Sequence, residues 1–221
     1  DNISTFKKMV IFEKPGERVI TIMTAGNLAT TQSVISLLEE RTKVPAERNP
    51  SIFEVPTMFQ VAKLVGDTLK EVIKSNADEG QRAESTFNAT IIVGGQIDGV
   101  SPRLFLIYPE GNFVEASEDT PFFQVGETKY GRPILVRAYD PDMSFEQAVK
   151  LLMVSFDSTL KANLSVGMPL DLHVYEAGSL KKGAQVRIDV QDEYFQMISS
   201  GWGEALKQAL EGLPDFSFDT Q

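Results

Sequence analysis

Two features near the start of the chain could support acyl-transfer chemistry. Lys8 begins an apolar strand-like run, so we expect its stem to be buried. Burial beside a second cation favours a neutral amine, the form that can act as a base, although a lysine reaching into solvent from a strand edge is the structural alternative. Gly26 lies where a strand changes into a helix. A backbone N–H there can stabilise a developing oxyanion, although a tight turn explains the same residues.

The single histidine, His173, is the one imidazole base that the chain offers. It alternates with Leu172 and Val174, so it lies on the opposite face of a predicted strand, beside Asp171 and Tyr175. A histidine packed on a sheet face beneath another layer is the more ordinary interpretation. We therefore expect a structural role for His173.

No sequence pattern indicates a cofactor or a metal. Gly94-Gly95 follows a strand but opens no helix and has no phosphate-binding glycine frame, so we interpret it as a hairpin turn. The chain contains no cysteine, which excludes disulfides, thiolate zinc sites and a cysteine nucleophile. The acidic cluster 115–119 is typical of a solvated turn. We expect no cofactor.

Charge and hydropathy limit the partners. The 221 residues include 31 acidic and 21 basic side chains, a formal net charge of −10, which repels nucleic acid. No apolar run reaches the roughly 18 residues that a membrane span requires, and no charged-then-apolar leader opens the chain. We therefore expect a cytoplasmic protein with neither nucleic acid nor membrane as a partner.

Blocks of strands alternate with blocks of helices, a pattern that predicts antiparallel sheets covered by helices. The strands are expected in a hairpin from Lys8 to Ala25, in four runs at 90–95, 104–108, 112–116 and 121–125, and in two more at 170–175 and 185–190. The helices are expected after an Asn27 cap, from Pro56 up to a loop at 75–85, around 130–138, after a capping box at Ser144, and over 194–210.

Four stretches make a more specific comparison possible. Together they resemble the ancestral β-subunit (Anbu) family, bacterial homologues of the proteasome within the N-terminal-nucleophile hydrolases. The resemblance covers essentially the whole chain and implies one proteasome-like domain, 1–221, with the fold of a four-layer αββα sandwich. The four stretches are Asn2–Met9, Ala25–Gln32, Gly126–Leu135 and Ser155–Gly167.

The resemblance also implies roles for individual residues. Lys8 matches the lysine that keeps the N-terminal amine basic, and Gly26 matches the glycine whose N–H lines the oxyanion hole. Thr128 lies near the position of a supporting serine. Asn163 and Ser165 fall where the proteasome motif Asp-x-x-Ser-Gly would lie, with an amide in place of the acid. These five residues are the predicted catalytic set.

Family members carry roughly two dozen residues before the point where this sequence starts, with a threonine nucleophile and an aspartate that pairs with the lysine. We expect two strands and both residues to precede Asp1. The resemblance thus implies a self-assembling threonine hydrolase of peptide or other amide bonds. A catalytically silent assembly subunit is the alternative, and a soluble ligand-binding domain is a third interpretation that rests on composition alone.

Overall fold

The computed structural model describes residues 7–43, 50–80 and 84–218. These residues form strands and α-helices in the order β1 (Met9–Lys14), β2 (Arg18–Gly26), α1 (Leu28–Lys43), α2 (Met58–Gly80), β3 (Ala89–Ile97), β4 (Arg103–Ile107), β5 (Phe113–Glu115), α3 (Arg132–Ala138), α4 (Phe145–Ala162), β6 (Leu170–Val174), β7 (Ala184–Ile188) and α5 (Glu193–Glu211), with a short 3-10 helix at Glu84–Phe87 before β3. None of the helices in these ranges has the length and apolar character that crossing a membrane requires.

The chain divides into two compact units. One consists of the described residues up to Gly126 together with Asp171–Val186, and the other consists of Glu127–Leu170 together with the described residues from Arg187 onward. We call them the sheet unit and the helical unit. The single domain expected from the sequence stays a prediction.

In the sheet unit, β1 to β5 form one antiparallel sheet in sequence order. Ile20 and Ile22 of β2 are fully buried on one face, where the sheet packs against α1 and α2 through Val34, Leu38 and other apolar side chains. Every second residue of β2 thus faces the helices, as the β-branched run after Arg18 predicts. Among the described strands, β1 pairs only with β2 and forms an edge.

The segment 171–186, which carries most of β6 and β7, contacts the opposite face of this sheet at Thr21 and Gln96. The Thr21 hydroxyl lies 3.0 Å from Nδ1 of His173. Gln96 Oε1 accepts hydrogen bonds from the Tyr175 hydroxyl at 2.6 Å and from the Gly178 N–H at 2.7 Å. Both faces of the large sheet therefore have contacts within this unit.

The helical unit has its own small core, formed by Met153, Leu170, Ile188 and Phe195. The predicted capping box begins α4: the Ser144 hydroxyl accepts from the Gln147 N–H, and the Gln147 side chain accepts from the Ser144 N–H. This reciprocal pair satisfies two donors at the helix start. Local sequence therefore sets where α4 begins.

Gly94 and Gly95 lie inside β3, so the prediction of a hairpin turn there is wrong. A side chain on Gly95 would overlap the Val19 carbonyl oxygen and place its Cβ 2.9 Å from the Ile20 Cα. Glycine is needed because two backbones approach closely. The chain turns later, at Gly99, where φ is +80°.

Three further expectations about the elements are wrong. Residues 121–125 form no strand: they follow the Ser117–Thr120 turn, begin with a proline that has no N–H, and are half-buried. Residues 75–80, expected in a loop, continue α2. Pro56 lies outside that helix, because the Thr57 hydroxyl accepts from the Gln60 N–H and caps it.

Candidate active site

Lys8 lies just before β1 and is held there by its backbone. Its carbonyl oxygen accepts from the Thr24 N–H at 2.8 Å, and the Thr24 hydroxyl lies 3.5 Å from the same oxygen. The side chain of Lys8 is exposed, so the expectation of a buried stem is wrong. An edge strand explains this, since Lys8 has β2 on only one side among the described strands.

Gly26 ends β2 in a conformation that favours glycine, with φ at +110°. A Cβ at this position would lie 2.5 Å from the Asn88 carbonyl oxygen and 2.8 Å from the Ala89 Cα. The next residue, Asn27, caps α1 as predicted, because its side-chain oxygen accepts from the Thr30 N–H at 3.0 Å. The strand-to-helix turn is thus built from a close backbone contact and a cap.

The direction of the Gly26 N–H follows from the hydrogen bonds on either side of it. The Asn27 N–H donates to Asn88, toward β3, whereas the Thr24 N–H donates to Lys8, on the β1 side. N–H groups alternate in direction along a strand. The Gly26 N–H therefore points to the edge of β2 on which Lys8 lies.

A cleft of about 270 Å³ lies at this edge. Lys8 and Val10 line one side of it, and Thr24, Leu28 and Thr31 come from the strand and helix that flank Gly26. The cleft places a primary amine and the hydroxyl-bearing residues Thr24 and Thr31 around one space. Within the described residues, no group of three or more histidine or carboxylate side chains is arranged to hold a metal ion.

The helical unit brings together the other predicted residues through a short hydrogen-bonded chain. Asn163 Nδ2 donates to Glu127 Oε2 at 2.7 Å. Asn163 Oδ1 accepts from the Ser165 N–H at 2.8 Å and from the Ser165 hydroxyl at 2.7 Å. Thr128 follows Glu127 directly, and its carbonyl oxygen accepts from the Arg132 N–H at the start of α3. The loop before α3 and the loop after α4 are thereby joined.

Glu127 is the member of this chain that sequence analysis missed. Its second oxygen, Oε1, accepts from the Lys129 N–H at 2.9 Å. That backbone N–H is the largest cause that lowers the pKa of the Glu127 carboxyl, and the Asn163 amide lowers it further. Glu127 is therefore ionised at neutral pH. The only signal in the sequence was its place beside Thr128.

The five predicted residues thus fall into two groups. Lys8 and Gly26 lie together in the sheet unit, whereas Thr128, Asn163 and Ser165 lie together in the helical unit. That all five form one catalytic site stays a prediction.

His173 packs against the large sheet and does not line the cleft beside Lys8. Burial lowers its pKa below the usual value, the positive charge of Lys182 lowers it further, and a hydrogen bond with the Lys182 backbone opposes both. Its Nε2 is buried and has no hydrogen-bond partner among the described residues. These contacts indicate a neutral, packed side chain.

Comparison by sequence finds one protein family. The model of the family described as "Proteasome subunit" matches residues 17–172. A proteasome subunit beta 2 from Pyrobaculum calidifontis is 24% identical over 175 residues, which cover 77% of this chain and 75% of that protein. A second subunit of the same description, from Pyrobaculum neutrophilum, is 26% identical over 172 residues, with the same two coverages.

Comparison by structure finds closely similar chains. Anbu, the ancestral beta-subunit, from Yersinia bercovieri superposes with a TM-score of 0.89 at 46% identity, covering 97% of this chain and 88% of its own. A structure of the helical assembly of the Anbu complex from Pseudomonas aeruginosa gives a TM-score of 0.90 at 43% identity, with coverages of 98% and 88%. The expected α+β fold class, with antiparallel sheets and helix layers of the proteasome type, is confirmed, and so is the resemblance to Anbu proteins.

Proposed function

The chain belongs to the proteasome subunit family, and from this we propose that it is a threonine hydrolase that cleaves peptide or other amide bonds. The nucleophile is an N-terminal threonine that we expect to be encoded before Asp1. A threonine hydroxyl needs a base, and the threonine's own α-amine, with a reference pKa of about 8, is suited to that task.

Lys8 and Gly26 take the two principal roles in this proposal. The ammonium of Lys8, which lines the cleft, disfavours a second positive charge nearby and so keeps the threonine amine neutral and basic. The Gly26 N–H donates to the oxyanion of the tetrahedral intermediate; one such donor contributes roughly 100- to 1,000-fold to the rate. The observation that carries the proposal is that Lys8 borders the same cleft as Thr24 and Leu28, the residues two positions before and after Gly26.

Thr128, Asn163 and Ser165 are proposed to orient the nucleophile. Their hydroxyl and amide groups can share hydrogen bonds with an N-terminal amine and with each other. The Asn163 to Ser165 bonds support this role, because they hold the Ser165 hydroxyl in one direction.

We also propose that the protein acts in the cytoplasm as a high-order homo-oligomer. Three large apolar side chains on one side of α4, Phe145, Leu152 and Phe156, are 53%, 38% and 40% exposed. Their spacing of seven and four residues places them on one helix face, which a second copy would cover. Light scattering of the full-length protein should detect an assembly of many copies, and a monomer at micromolar concentration would contradict this.

The hydrolase proposal is tested by covalent labelling of the full-length protein with a threonine-directed peptide electrophile, followed by intact-mass spectrometry. We expect one label per chain in the unmodified protein and about 10-fold slower labelling at pH 7 in Lys8→Ala, because without the Lys8 ammonium the threonine amine is mostly protonated and less of it can act as the base. Lys14→Ala, at the other end of β1, is the matched control and should label normally.

The alternative is a catalytically silent assembly subunit, which Asn163 favours because it replaces the acid of the proteasome motif. A silent subunit would give no label in the unmodified protein while still forming the assembly. Equal labelling of the unmodified protein and Lys8→Ala would instead remove Lys8 from the mechanism.

A further inference from the structure

Asn163 is neutral at a position where the proteasome motif Asp-x-x-Ser-Gly has a negatively charged carboxylate. The residue ends α4: its backbone N–H donates to the Thr159 carbonyl oxygen at 2.9 Å, which keeps its backbone in place. Its side chain therefore has a defined position from which to contact neighbours. Among the described residues, its amide reaches Glu127 on one side and Ser165 on the other.

The orientation of the Asn163 amide is determined by its neighbours. An ionised Glu127 can only accept hydrogen bonds, so the Asn163 NH2 group must face it. The Asn163 oxygen must then face Ser165, where it accepts from both the N–H and the hydroxyl. A charge on Glu127 thus decides which way the amide points and where the Ser165 hydroxyl donates.

We propose that Glu127 is a positioning residue that supplies, through Asn163, the negative charge that a carboxylate at position 163 would otherwise provide. This inference rests on the proposed hydrolase function. Glu127 acts on Asn163, and Asn163 holds Ser165; Glu127 itself contacts neither substrate nor nucleophile. Its backbone also continues directly into Thr128, so the same contact links both loops that carry supporting residues.

The carboxylate of position 127 and the amide of position 163 should be exchangeable only when both residues are changed together. Asn163→Asp alone places two carboxylates about 2.7 Å apart, where like charges cannot both ionise without strain. Glu127→Gln alone frees the amide to rotate, because glutamine can donate as well as accept. In the double variant, the introduced glutamine would donate to the introduced aspartate, and that aspartate would accept from Ser165. The same pairs of residues are then hydrogen-bonded, with the charge moved to position 163 and the donor moved to position 127.

The experiment measures the maximal labelling rate and the half-saturating electrophile concentration separately in the full-length protein. We compare Glu127→Gln, Asn163→Asp and the double variant, with Glu118→Gln as a control that removes a carboxylate from an exposed turn. Each single variant should lower the maximal rate roughly 10- to 100-fold, since small misplacements near reacting groups have effects of that size. The half-saturating concentration should stay within about twofold.

The double variant should recover to within about threefold of the unmodified protein, and Glu118→Gln should not differ from it. Thermal unfolding of all variants checks that slow labelling does not reflect unfolding. Equal rates in all variants, or a double variant slower than both single ones, would overturn the role of Glu127 and leave the hydrolase proposal in place. Absence of labelling in the unmodified protein would overturn the hydrolase proposal and this role together.

Discussion

Replacing Gly26 by alanine tests the geometry of the turn that carries the proposed oxyanion donor. Two separate costs follow from the structure. A φ of +110° is unfavourable for any residue with a Cβ, by about 1–2 kcal/mol. In addition, the new Cβ would lie 2.5 Å from the Asn88 carbonyl oxygen and 2.8 Å from the Ala89 Cα, so the β2 to β3 pairing must shift.

The second cost resembles overpacking of a core, which is about 1–3 kcal/mol. The free energy of unfolding should therefore fall by about 2–5 kcal/mol in Gly26→Ala. Gly16→Ala is the matched control, because Gly16 also has a positive φ, +75°, but nothing lies within 4 Å of its Cβ position. In Gly16→Ala, the free energy of unfolding should fall only by the conformational cost, about 1–2 kcal/mol.

Urea unfolding at one fixed protein concentration measures the difference, since assembly makes apparent stability depend on concentration. With a slope of about 2–3 kcal/mol per molar urea, an extra 2 kcal/mol lowers the midpoint by roughly 0.7–1 M. Equal midpoints for Gly26→Ala and Gly16→Ala would refute the argument, because only the close backbone contact distinguishes the two sites.

Two further predictions concern buried polar groups. Because the pKa of His173 is lowered in the folded state, the unfolded chain binds the His173 proton more tightly, and stability should fall as the pH drops below about 6.5. Thermal unfolding measured at pH 7.5 and at pH 5.5 should show a smaller loss of stability in His173→Gln than in the unmodified protein. An equal loss in the two proteins would contradict this. Arg18, 5% exposed, donates to the carbonyl oxygens of Ile52 and Val55 at 3.2 and 2.8 Å, so Arg18→Leu leaves both unpaired and should lose roughly 2–5 kcal/mol in urea unfolding. Lys63→Leu, an exposed control, should change little.

Sequence predicted the elements whose determinants are local. The β1–β2 hairpin, the Asn27 cap and the Ser144 capping box each depend on residues within a few positions of one another. Hydrophobic periodicity added the buried faces of α2 and of β2, because burial on one side repeats every 3.6 or every 2 residues. The resemblance to Anbu proteins, not these local features, assigned Lys8 and Gly26 to one site.

Sequence failed where a distant partner decides the structure. Gly94-Gly95 has the composition of a turn, but Val19 and Ile20 of β2 approach it and keep it in a strand. The run 121–125 has the composition of a strand but lies beyond β5, where the described sheet ends. Local composition predicts neither outcome, since both depend on the order of strands in the sheet.

Glu127 shows the same limit in the candidate site itself. A search for the motif at positions 163–167 finds an amide and suggests that a charge has been lost, because a motif records residue types at fixed spacing. The structure places a carboxylate from 36 residues earlier against that amide. In the proposed role of Glu127, the negative charge has to lie within hydrogen-bond reach of Asn163, which holds Ser165, and a loop distant in sequence supplies it. A motif substitution therefore weakens a functional assignment only after the neighbours of the substituted side chain have been located.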